Sequence, residues 1–207
     1  INSRRISSPR AKRRWGGLTV RRKDRQMSAE FGYTVIDKAD FGVVSVMDEN
    51  GDPYGVALSM AREDDALYFH SAKDGKKVTA FTNNPNVTVV FVGDVNVPES
   101  YTEEELEELT QDPSQAAVFA SGVFTTEYES AIVRGTVSRV VDEEEKVRAM
   151  KHICEKYVPS KMEYFALASA DGLDKADVYR IDIQEVTAKR KKASGEEGNS
   201  RDAAFLA

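Results

Sequence analysis

Residues 67–85 read LYFHSAKDGKKVTAFTNNP, and the reading of this stretch decides the fold. Apolar residues Leu67–Phe69 start a strand that ends in His70-Ser71. A polar turn carries Lys73, Asp74 and Gly75, and a helix follows over Gly75–Asn83, with Val78 and Phe81 one turn apart and facing inward. Asp74 is placed to cap that helix, and Asn84-Pro85 closes it, because the residue before a proline disfavours helical backbone. A strand that runs through a basic turn into a helix N-terminus is where a chain can hold a phosphate. The unpaired amides and the positive end of the helix dipole point at the anion, and lysines add full charge. Lys76 and Lys77 in the first helical turn oppose that dipole unless an anion offsets them, and Gly75 allows close backbone approach. Spacing alone leaves two readings open: a phosphate cradle, or a solvated basic turn of the kind common on surfaces.

Working outward, Ser28 can cap a helix that carries Phe31, Val35 and Ile36 at helical spacing and ends by Ala39. Phe41–Met47 and Tyr54–Met60 read as a β-hairpin across the turn Asp48-Glu49-Asn50-Gly51, with Pro53 at the start of the second strand, where a missing N–H does least harm. Ala66–Ser71 is the third strand. Beyond Pro85, the β-branched run Val87–Val92 has the character of a strand buried on both faces. The segment 99–115, containing YTEEELEELTQD, reads as an acidic helical excursion with Leu106 and Leu109 as its apolar contacts. Strand pattern returns at Val118–Thr125 and Ser130–Val141. Asp142 caps a long helix, Glu143–Tyr157, with Val147, Met150, Ile153, Cys154 and Tyr157 on one apolar stripe, and Val178–Val186 is a last strand. Successive strands through short turns imply antiparallel pairing, so the expected fold is mainly β, a small closed barrel with helices packed outside.

At 207 residues and 41% hydrophobic content, the chain can bury one substantial core. It has no apolar run long enough to cross a bilayer and no apolar centre of a secretory signal, so a cytoplasmic protein is expected. Cys154 is the one cysteine, which excludes an intrachain disulfide and a cysteine-based zinc site. His70 and His152 are the only histidines, which argues against a histidine-rich metal centre. His152 and Cys154 sit on or beside the helical stripe and read as packing residues.

Residues 1–19 carry six basic side chains (Arg4, Arg5, Arg10, Lys12, Arg13, Arg14) and no acid; with −6 over the whole chain, residues 20–207 carry −12. A body that acidic argues against nucleic acid as a partner, and the arm reads as a disordered extension. A second reading places the arm outside the native protein. Trp15-Gly16-Gly17 is encoded by TGG and two GGN codons, which can contain a ribosome-binding sequence shortly before a GTG start at Val20. N-terminal sequencing of the native gene product decides between the two. The domain is then expected over residues 20–188, with a disordered charged tail over residues 189–207.

The string YFHSAKDGKKVTAFTNNPNVTVVF, preceded by a hairpin and followed by Tyr128-x-Ser130-Ala131-Ile132-Val133-x-Gly135, resembles the pyridoxamine 5′-phosphate oxidase-related FMN-binding split-barrel proteins. Within that superfamily it is most similar to the 5-nitroimidazole resistance (NimA-like) branch, whose RRKDR-type opening matches Arg21–Arg25. The resemblance implies an antiparallel split β-barrel of six to seven strands, with FMN bound at a homodimer interface. By position, it implies that His70 and Ser71 line the phosphate and ribityl region and that Lys76 and Lys77 bind the phosphate. Ala57, Leu58 and Ser59 lie on the strand whose backbone faces the flavin ring. Ser130 matches a position near the flavin where glutamine is usual, and Lys73 has no firm counterpart. The implied activity is a reductase that passes electrons from NAD(P)H or another donor to a small nitroaromatic or quinone-like acceptor, with His70 as a candidate proton donor. The alternative is a non-catalytic binding module for FMN, haem or deazaflavin. Vitamin B6 oxidase activity is not expected, because the closing segment VYRIDIQEVTAKRKK lacks the histidine that grips the substrate phosphate.

Overall fold

The computed structural model describes residues 17–173 and 175–192. The bulk of the basic arm, residues 1–16, and the tail beyond residue 192 lie outside the described residues, as do the expectations placed on them. The elements are β1 (Gln26–Met27), α1 (Ala29–Lys38), β2 (Gly42–Met47), β3 (Pro53–Leu58), β4 (Ala61–Glu63), β5 (Ala66–Ser71), α2 (Lys76–Asn83) and β6 (Asn86–Asn96). They continue with α3 (Glu103–Thr110), α4 (Ala116–Val118), β7 (Glu127–Arg139), α5 (Glu143–Tyr157), α6 (Phe165–Gly172) and β8 (Asp177–Lys191). No helix among the described residues is long and apolar enough to cross a membrane.

All strands join one antiparallel sheet in the order β3-β2-β6-β7-β8-β5-β4, with β1 added to the far half of β8. The sheet is open: β3 and β4 are its two edges, linked by the two residues Ser59-Met60 rather than by a ladder. A closed barrel was the expectation from strand count. The structure corrects it to a rolled sheet whose seam is covalent and not hydrogen-bonded.

Hydrophobic burial explains the rolling. Leu67 and Phe69 on one face of β5 join a core with Val44, Val87, Val89, Phe91, Val133 and Ile181, while Ala66 and Tyr68 on the other face join Ala149 and Ile153 of α5. Because β5 is buried on both faces, its sequence reads as a continuous apolar run rather than an alternating one. Apolar area removed from water stabilises by about 25 cal/mol per Å², and β5 contributes to both of the buried clusters that gain it.

The caps expected at Ser28 and Asp142 form, and Thr102, where none was expected, caps α3. Ser28, Thr102 and Asp142 accept hydrogen bonds from the amides of Phe31, Glu105 and Glu145. Asp74 does not cap α2: the cap residue is Gly75 with φ of 107°, and no side chain takes that role. A positive φ there suits glycine alone among common residues, and it turns the chain before Asp74 reaches the helix amides. The expected strand over Val118–Thr125 is instead α4 and a π-helical turn, Phe119–Val123. That segment pairs with no strand of the sheet, and its backbone bonds locally, with Phe124 N donating to Phe119 O at 2.7 Å. Val147 is exposed while Lys146 and Ala149 are buried, so the α5 stripe is rotated from its expected position. Strand β8 runs on to Lys191, past the expected boundary at 189, because β7 and β1 pair with it there. Leu18 N donates to Glu185 Oε1 at 2.6 Å and Val20 is buried, so the described chain joins the body just before residue 20.

Candidate functional site

The basic turn is built where β5 leaves the sheet. Strand alternation puts His70 on the outer face, where it is exposed, and Ser71 on the inner face, where it is buried and its hydroxyl donates to Ala72 O at 2.9 Å. The two side chains therefore diverge rather than act as a pair. Lys76 reaches across to the β2–β3 turn, with Nζ 3.2 Å from Asp48 Oδ2 and 5.0 Å from the centroid of the Tyr54 ring. Asp48 is nearly buried, accepts from the amides of Asn50 and Asp52, and has a carboxyl pKa held below the ordinary range, first by the Asp52 amide bond and also by Lys76. Lys76 thus ties the start of α2 to the β2–β3 turn, and its opposition to the helix dipole is offset by Asp48. Lys77 and Lys73 form no ion pair among the described residues. The amides of Lys76 and Lys77 open α2 without a side-chain cap, and they are the anion-seeking end of the site.

The second part lies on the outer face of the sheet. Cross-strand pairing sets Ala57 opposite Val43, Val43 opposite Val90, Val90 opposite Ile132, and Ile132 opposite Thr187. One register row therefore carries apolar side chains across four adjacent strands. Val43, Val92, Phe41 and Met47 are exposed large hydrophobics near it. Ser130 sits in the neighbouring row, between Val92 and Lys189, so the sheet brings Ser130 and Ala57 to the same face. Leu58 packs inward against the core, and Ser59 follows the strand in the β3–β4 link. Since β3 is an edge strand, one side of its backbone has no ladder partner and can hydrogen-bond the polar rim of a flat heteroaromatic ring.

Three neighbouring residues gain roles that sequence reasoning missed. Tyr157, expected only to pack, accepts from Met60 N at 2.9 Å and approaches the carbonyls of Asp40 and Met60, at 2.8 and 3.1 Å. Lys156 Nζ donates to Ile36 O and Met60 O, and burial lowers its pKa. Both hold the Ser59-Met60 seam. His152 Nε2 lies 2.9 Å from Arg62 O, so it tethers α5 to β4 rather than serving only as packing. Burial pushes the Cys154 thiol up, away from thiolate character. Arg134 on the outer face pairs with Glu185 at 3.7 Å.

A rolled, open antiparallel sheet, with a helix following an interior strand, β5, and an uncapped basic N-terminus on that helix, is the split-barrel class of cofactor-binding fold. Residues 33–190 match the model of the pyridoxamine 5′-phosphate oxidase family, and the chain belongs to that family. No curated relative matches the chain. Among solved structures it is similar to a protein assigned to 5-nitroimidazole antibiotic resistance from Bacteroides thetaiotaomicron, with 23% identity over 80% of this chain and 86% of that one and a TM-score of 0.61. A FAD-binding protein from Mesorhizobium loti matches at 19% identity, over 81% of this chain and 98% of that one, with a TM-score of 0.52. A FAD and haem binding protein from Mycobacterium smegmatis matches at 15% identity, over 87% and 80%, with a TM-score of 0.62. At these identities the likeness is one of fold.

Proposed function

We propose that this chain is a flavin-binding protein that uses FMN to reduce a small nitroaromatic or quinone-like acceptor, drawing electrons from NAD(P)H or a similar donor. The observation that carries the reading is the open N-terminus of α2. α1, α3 and α5 are each closed by a side-chain cap; α2, α4 and α6 are not, and of these three only α2 carries lysines, Lys76 and Lys77, beside its first-turn amides. Those amides, with Lys77 and Lys76, would hold the cofactor phosphate; the free edge of β3 at Ala57–Leu58 would bond the ring rim; and Ser130 would approach from the shared outer face. Bound flavin supplies the electron transfer between donor and acceptor. The chain contributes charge at the phosphate, orientation of the ring along β3, and an apolar row that excludes water. His70, exposed and free of ion pairs among the described residues, is sited as a proton donor only if a bound ligand or a second chain covers it.

In the same reading, a second copy covers the apolar row through Ala57, Val43, Val90 and Ile132, which makes the protein a homodimer with the flavin between copies. A monomeric sedimentation profile for flavin-loaded protein would refute that part. The exposure of His70 also favours a second reading, a module that holds FMN, haem or deazaflavin without turnover, since no acid–base group is fixed at the site.

The test is reconstitution. Purified protein should be yellow, and the extracted cofactor should have the mass of FMN. Lys77→Ala should weaken FMN at least about tenfold, as expected for loss of one charge-assisted contact. Lys76→Ala should weaken it less, because Asp48 already engages that ammonium. FMN binding that is indifferent to both substitutions would overturn the site. Acceptor-dependent oxidation of NAD(P)H separates the reductase from the storage reading.

A further inference from the structure

A second concavity lies beside α2. It has a volume of about 470 Å³, and none of Ala57, Ser130, His70, Lys76 or Lys77 lines it. Val78, Phe81 and Thr82 of α2 form one wall, and the ends of β7 and β8 form the other, with Val137, Arg139, Asp177 and Tyr179. Val137 N donates to Pro85 O at 2.8 Å, and Arg139 pairs with Tyr179 in the β7–β8 ladder, so the walls are fixed by backbone bonds. The volume falls within the range of ligand pockets.

Its chemistry is amphipathic. Tyr179 is 5% exposed, stacks on Phe69 at 5.3 Å between centroids, and lies 5.8 Å from Phe81. Its ring is buried, but its hydroxyl is not among the buried unpartnered polar atoms and makes no hydrogen bond among the described residues, so it is open to solvent on a residue that lines the cavity. A hydroxyl open on the cavity side can donate to a ligand acceptor in place of water. Three charged residues face the space. Arg139 and Asp177 pair at 3.4 Å and neutralise each other, which leaves Lys73, without an ion pair among the described residues, as one surplus positive charge.

We propose that this cavity binds a small aromatic carboxylate. One negative charge matches the one surplus cation, the Tyr179 hydroxyl donates to a carboxylate oxygen, and a single ring packs between Val78, Phe81 and Val137. The proposal is independent of the flavin reading, since the two sites share no residue assigned to flavin.

The probe is 4-fluorobenzoate, titrated into the full chain and read by ¹⁹F NMR, with flavin content followed separately by visible absorbance. Wild type should show a saturable shift. Lys73→Glu, a change at an exposed position, should weaken binding at least about tenfold. Tyr179→Phe keeps the ring stack and should weaken it about fivefold. Thr82→Trp, which fills the mouth from an exposed helix position, should abolish the shift. Lys77→Ala should bind the probe as wild type does, even where it loses flavin. No saturable shift with wild type would overturn the proposal. So would Lys73→Glu binding within twofold of wild type, or 4-fluorobenzylamine binding as tightly as the benzoate.

Discussion

Replacing Tyr157 with Phe removes one oxygen atom at the seam of the sheet, and the structure sets what this costs. The hydroxyl is the partner of Met60 N at 2.9 Å, and Met60 is 1% exposed. Met60 O keeps the Lys156 ammonium at 3.0 Å after the substitution, but Met60 N–H keeps nothing. A buried donor left unpaired costs about 1–3 kcal/mol, so we expect Tyr157→Phe to lose about 2 kcal/mol. For a domain of this length that corresponds to a melting point lower by about 4–8 °C. Scanning calorimetry reads the shift, and hydrogen exchange at the Met60 amide should accelerate at the same time. Tyr164→Phe is the control: Tyr164 is 56% exposed with no hydrogen bond from its side chain among the described residues, and its substitution should stay within about 0.5 kcal/mol. A melting point for Tyr157→Phe within 1 °C of the control would refute the claim that this hydroxyl holds the β3–β4 link.

Two other perturbations test the frame around the site. A Cβ on Gly135 would collide with the carbonyl oxygen of Asp182 and lie 2.6 Å from Ile181 Cγ2, at the register shift between Arg134 and Gly135, so Gly135→Ala should cost about 3 kcal/mol; a urea midpoint unchanged from wild type would show that the ladder yields there. Glu145 accepts from Tyr68 Oη at 2.8 Å and Arg180 Nη1 at 3.0 Å, which hold its pKa below the ordinary 4.5. Because the folded value is depressed, the unfolded chain takes up the proton first. This contribution is complete above about pH 4.5 and disappears as the pH falls through the folded value. The stability gap between wild type and Glu145→Gln should therefore be widest at neutral pH and shrink on acidification; a gap constant from pH 7 to pH 3 would contradict the network.

Much of the local structure was legible in the chain. Ser28 and Asp142 cap the helices they were expected to cap, and α5 runs over Glu143–Tyr157 as its periodicity requires. Two errors show where such reading stops. Asp74 has the right chemistry for a cap, yet the positive φ at Gly75 turns it away. Val118–Thr125 has strand-like residues, but it pairs with no strand of the sheet and closes its backbone bonds locally. Of the candidate site, the lysine turn was singled out from its residues and Ala57 through the family resemblance, whereas the partner of Lys76 was not foreseen.

The chain alone carried most of the elements, the caps at Ser28 and Asp142 and the concentration of cations around α2, because periodicity, capping and turn chemistry operate over a few residues. Only the tertiary structure decided that Asp48 engages Lys76, that Ala57, Val43, Val90 and Ile132 share one row, and that Tyr179, Arg139 and Lys73 face one cavity. Those neighbours are far apart along the chain. Strand register and the rolling of the sheet bring them together, and both are set by how the whole core packs rather than by any short segment.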